Sequence, residues 1–144
     1  MNDLLPGLYE GWFDYESYQF LFRSVFKEQG FGLIGWAIIV LSISLLVFFY
    51  KFWDPVEGQR KKWILILLIN SLLIFGVSYL ILYNNQGLIQ AMGNFVEGEG
   101  VNPHSFVFQI SAISALYGLG VAFICCIFPL PVKILSNDNK HNPF

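Results

Sequence analysis

Three stretches of this chain carry no charged side chain and no histidine, and they constrain its fold more than any other feature. Phe31 to Tyr50, Trp63 to Tyr83 and Ser105 to Phe128 contain no Asp, Glu, Lys, Arg or His. Each reaches the ~20 apolar residues that a helix needs to cross the hydrocarbon of a bilayer at 1.5 Å per residue. A helix of a water-soluble core keeps a polar face for solvent, and these runs have almost none. Composition points the same way: 56% of the chain is hydrophobic and 12% charged, against roughly 45–50% and 25% in a typical soluble domain. The expected fold is therefore all-α, a single integral membrane domain with three transmembrane helices at 31–50, 63–83 and 105–128. Residues 1–30, 51–62, 84–104 and 129–144 lie outside the bilayer on this reading.

Lys and Arg near span ends set the direction of insertion. The segment 51–62 holds Lys51, Arg60, Lys61 and Lys62, and the tail holds Lys133 and Lys140. The segment 84–104 holds neither Lys nor Arg, only Glu97 and Glu99. The expected topology puts the N-terminus outside and the C-terminus in the cytoplasm, against the opposing charges of Arg23 and Lys27, with a bacterial cytoplasmic (inner) membrane as the setting. Aromatic residues fall near the expected edges, with Tyr50, Trp53 and Trp63 inside and Trp36, Tyr79, Tyr83 and Phe106 outside. Asn102-Pro103 suits the start of the third span, Asn as cap and Pro in the first turn, while Pro129 and Pro131 end it. The first thirty residues lack a basic region followed by an apolar core and a small-residue cleavage site, so no secretory signal is read there.

The two outward segments are patterned. In residues 15–28, Tyr15, Tyr18, Leu21, Phe22, Val25 and Phe26 share an arc of about 140° on a helical wheel, and only Phe20 falls on the polar side. Such a helix lies on the membrane surface, docks on a partner, or closes as a lid on its own bundle. In the second segment Leu88, Ile89, Met92, Phe95 and Val96 again mark one helical face before Glu97-Gly98-Glu99-Gly100 interrupts it. Two short amphipathic helices on the outer side complete the expected architecture.

Within lipid, helices associate where small residues let backbones approach. Ser111, Ser114, Ala115, Gly118 and Ala122 form such a stripe on the third span, either for another subunit or for the first or second span of the same chain. Gly32 and Gly35 on the first span offer a matching surface. Asn70 is the most polar side chain deep in a span, and an interhelical hydrogen bond is its expected role.

Reactive constellations are missing. No ionisable group lies inside a span, which disfavours proton pumps, ion-coupled carriers and voltage sensors. His104 and His141 fall on opposite sides of the membrane, so paired-histidine haem ligation is excluded. Glu97, Glu99 and His104 have a faint metal-ligand character, but a glycine-spaced acidic loop reads as solvated. Adjacent Cys125 and Cys126 read as packing residues. No phosphate-binding glycine loop, zinc helix or nucleophile elbow occurs, and nothing basic and aromatic suggests nucleic acid. Neither enzyme activity, cofactor nor metal is expected. The expected function is a non-enzymatic accessory or structural subunit of a larger membrane complex, its partners lipid and other membrane subunits. It docks through the third-span stripe and the outward helices. A homo-oligomeric, holin-like pore lined by Asn70, Ser78, Ser111 and Ser114, and an immunity protein against a membrane-acting toxin, are the alternatives.

Overall fold

The structure is a computed structural model, described here for residues 2–53, 58–96 and 100–127, with Tyr15 and Gln59 described by backbone alone. Its elements are helices only: α1 (Leu5–Glu10), α2 (Tyr15–Lys27), α3 (Gly30–Val47), a π-helical continuation (Phe48–Trp53), α4 (Gln59–Tyr83), α5 (Gln86–Gly93) and α6 (Pro103–Ile127). Three candidate spans result, Gly30–Trp53, Arg60–Tyr83 and Pro103–Ile127, each long and apolar enough to cross a membrane. The all-α class and the three-span plan hold.

Boundaries move where local chemistry allows. The first span runs past Tyr50 through Lys51 to Trp53, because a long lysine stem can lie along apolar surface and carry its ammonium outward. Lys51 is exposed, its Nζ 5.9 Å from the centroid of the Phe52 ring. α4 likewise begins before its apolar run, so Arg60, Lys61 and Lys62 form its first turn rather than a loop. The third span opens as its sequence predicts: Asn102 Oδ1 accepts from the amides of His104 (2.9 Å) and Ser105 (3.4 Å), and Pro103 is the first helical residue. Pro129, Pro131 and the expected cytoplasmic tail lie outside the described residues, as do Glu97 and Glu99.

Of the two amphipathic helices, α2 matches its expected extent. α5 is shorter than its pattern: it closes at Gly93 with Asn94 as C-cap, leaving Phe95 and Val96 beyond it. Helix α1 was not anticipated. Its sequence, Leu-Pro-Gly-Leu-Tyr-Glu, reads as a turn, yet Pro fits the first helical turn and needs no amide partner there. The α2–α3 turn is made by Gln29, whose φ of +56° is uncommon for a residue with a Cβ.

The chain divides into two compact units, one from Met1–Ala37 and Phe75–Ser114, the other from Ile38–Ile74 and the chain from Ala115. α1, α2 and α5 belong wholly to the first, while α3, α4 and α6 contribute to both.

Candidate functional site

In the second unit the polar groups of the spans converge on one point. Asn70 of α4 donates through Nδ2 to Ser42 Oγ of α3 at 3.1 Å and to the Gly118 carbonyl of α6 at 3.2 Å. Ser42 Oγ donates to the same carbonyl at 3.4 Å. All three residues are buried. The node ties three helices together, the role expected of Asn70. Asn70 Oδ1 has no hydrogen-bond partner among the described residues.

Gly118 is what lets the node form. A Cβ there would run into Ile74 Cδ1 of α4, so a larger residue would force the end of that side chain to shift. Ser71 adds a bond from α4 to the Ala115 carbonyl at 3.3 Å. Farther along, Trp63 donates its indole N–H to Cys126 Sγ at 3.2 Å, within a cluster that includes Leu46, Phe49, Tyr50, Ile66 and Ala122. Trp63 and Tyr50 are buried members of that cluster. A buried indole N–H needs an acceptor, and Cys126 supplies one. Both cysteines are free thiols.

The first unit is built on aromatic packing. Phe22 of α2 lies 5.7 Å from Phe31 and 5.3 Å from Phe106, centroid to centroid, and Phe13 and Tyr18 lie 5.5 and 5.8 Å from Phe106. Leu21, Phe22 and Val25 are buried, Tyr18 is half-buried, and Phe26 is exposed. The side chain of Tyr15 lies outside what the structure describes. The apolar face of α2 is thus spent largely inside its own unit, as a lid. Phe106 is fully buried beneath this lid. Rings that meet edge-on or offset gain roughly 0.5–1.5 kcal/mol per pair beyond the area they bury.

A polar latch joins α2 to α5. Glu28 accepts the free amides of Gln86 (3.1 Å) and Gly87 (3.3 Å) at the first turn of α5, and Asn85 Oδ1 accepts that of Leu88 (3.0 Å). Asn85 Nδ2 donates back to the Ser24 carbonyl at 3.3 Å. Gly87 has no room for a Cβ, because Ser24 Cβ and Oγ occupy that place. The two carboxylate oxygens and the amide oxygen satisfy three of the donors that every helix start leaves open.

The small-residue stripe is also consumed inside the chain: Ser111, Ser114, Ala115, Gly118 and Ala122 are all buried. Gly32 and Gly35 are buried too, but Gly32 does not receive the stripe. The space where its Cβ would stand faces Asn2, whose Oδ1 accepts the Gly32 amide at 3.2 Å. The N-terminal segment takes the groove that the sequence assigned to a helix, because a side-chain amide can satisfy the open N–H groups of the α3 start. Asn2 also donates to the Phe26 carbonyl at 3.0 Å, at the end of α2.

Ser114 donates to the carbonyl of Ile110 at 2.7 Å, which leaves Tyr9 Oη as donor in its own 2.8 Å contact with Ser114 Oγ. Tyr9, Ser42, Glu28 and Asn85 were the residues sequence reasoning missed as contacts. Tyr9, Ser42 and Glu28 find their partners across the fold, where no local spacing announces them, while Asn85 pairs with Leu88 three residues on as well as with distant Ser24.

No group of three or more His, Cys, Asp or Glu comes together among the described residues. The structure therefore offers interhelical ties and covered or uncovered apolar faces. No family model, curated protein or solved structure matches the chain.

Proposed function

We propose that this protein is a non-enzymatic accessory subunit of a larger membrane complex, inserted with its N-terminus outside and its C-terminus in the cytoplasm of a bacterial inner membrane. The observation that carries the reading is how the polar groups of the spans are spent. Ser42, Asn70, Ser78, Ser111 and Ser114 are buried within the chain, while Trp36, Val40, Leu68, Leu72, Phe108 and Leu116 are exposed. Exposed apolar side chains on internally tied spans suit contact with lipid and with other apolar helices. It offers little to line a water-filled lumen, and the pore alternative needs those same buried residues at its wall.

The docking surface differs from the one the sequence suggested, because the stripe on α6 is covered and Leu21, Phe22 and Val25 of the α2 face are buried. Phe20 is the strongest remaining candidate. It sits on the otherwise polar side of α2, is 69% exposed, and borders a groove of about 330 Å³ lined also by Phe95, Val96 and Pro103. A large apolar side chain outside the bilayer beside such a groove is typical of an interaction face. Purification from native membranes in mild detergent, followed by mass measurement, tests the proposal. A constant foreign chain that is lost with Phe20→Asp supports it. A homo-oligomeric ring or a lone monomer refutes it.

A further inference from the structure

Helix α1 sorts its side chains into three directions. Leu5 and Tyr9 are buried. Asp3 and Glu10 line a cleft of about 370 Å³ together with Pro6, Arg23 and Phe26. Leu4, Leu8 and Trp12, at i, i+4 and i+8, are 74%, 53% and 60% exposed. Leu8 lies in α1, Leu4 is its N-cap and Trp12 follows its C-cap, so the three form an exposed apolar strip along the helix and its two ends, on a segment the sequence places outside the membrane.

With the hydrocarbon taken to begin where the uncharged run does, at Ser105, contacts with α6 give the strip a depth. Tyr9 Oη meets Ser114 Oγ, which is about 13 Å along α6 from Ser105, where the uncharged run begins, at 1.5 Å per residue. One leaflet contributes about 15 Å of hydrocarbon. Trp12 shares a shallow cavity with Phe108, Gln109, Ala112 and Ile113, all less than about 15 Å along α6 from Ser105 at 1.5 Å per residue. Phe108 is itself 58% exposed on a candidate span, so the strip of α1 continues the surface that the span presents to lipid.

We propose that α1 is a re-entrant helix, seated in one leaflet beside α6, with lipid acyl chains covering Leu4, Leu8 and Trp12. Its polar groups are compatible with that position. Asp3 and Glu10 line the cleft that also holds Arg23, so their carboxylates share it with a cation. Tyr9 and Asn2 spend their hydrogen bonds inside the unit. The helix thereby adds an apolar surface to its unit without adding a fourth span.

Depth-dependent fluorescence quenching tests this on the whole chain in phosphatidylcholine vesicles. The Trp12 signal is taken as the difference between wild type and Trp12→Phe, a substitution at a ring that is 60% exposed. Lipids brominated along the acyl chain are expected to remove most of that difference signal, and aqueous acrylamide little of it. Leu8→Asp should reverse the pattern by expelling the strip. Quenching of the wild-type difference signal by acrylamide alone overturns the proposal, because the strip then faces water. Insensitivity to both quenchers overturns it too, because the strip is then covered by protein.

Discussion

Gly118 and Asn70 show how much one position can carry where lipid removes the usual driving force. Apolar burial holds α2 on its unit, but between spans the lipid tails are as apolar as leucine, and close packing with hydrogen bonds must do the work. Gly118 serves both needs, since its bare Cα admits Ile74 and its carbonyl receives Asn70 and Ser42. Gly118→Ala should destabilise the bundle by about 1–3 kcal/mol, the usual cost of forcing extra volume into a packed core. Ile74→Val, which removes the offending Cδ1, should recover a good part of that loss in the double variant. Equilibrium unfolding of the four proteins in bicelles measures the coupling, and simple additivity would show that the contact is not the cause. Asn70 was legible from sequence as a buried amide in need of a partner. The identity of that partner was not, because a carbonyl looks the same at every residue.

At the scale of elements, the latch at the start of α5 illustrates a different gap between sequence and structure. α5 has only eight residues, too few to be stable alone in water. It forms because Asn85 caps it, Glu28 occupies its positive end, and Leu88 is buried. Glu28→Ala should speed hydrogen exchange of the Gln86 and Gly87 amides roughly five- to thirty-fold, equivalent to about 1–2 kcal/mol. The amides of the α2 interior should be little changed. Exchange mass spectrometry that finds α5 equally protected in both proteins would rule the latch out as its support. The Asn85 cap could be suspected from local sequence. Glu28 could not, because it lies far away in the chain and looks like any exposed glutamate at a helix end. The length of α5 was overestimated for a related reason: Phe95 and Val96 continue the helical period by residue type, but Gly93-Asn94 ends the backbone helix before them.

For the whole molecule, orientation is the property most open to manipulation. With Arg60, Lys61 and Lys62 all replaced by Gln, the segment between the first two spans loses most of its positive charge, and mixed orientations are expected. A cysteine placed at the open position Gly93 reports this through an impermeant maleimide added to intact cells. Labelling that stays one-sided after the replacement would show that other features direct insertion. The class, the number of spans and the amphipathic period of α2 were determined by the sequence itself, because each depends only on charge, apolarity and spacing counted along the chain. The tertiary structure decided which faces are covered and by what. In a soluble helix the apolar period reveals the buried side, but a span is apolar all round, so its inner face is set by small residues and hydrogen-bond partners. Those partners are brought together by folding: Asn70 to Gly118, Glu28 to the start of α5, Asn2 to Gly32 and Tyr9 to Ser114. The stripe on α6 was visible as a row of small residues, and only packing could say that this chain uses it for itself.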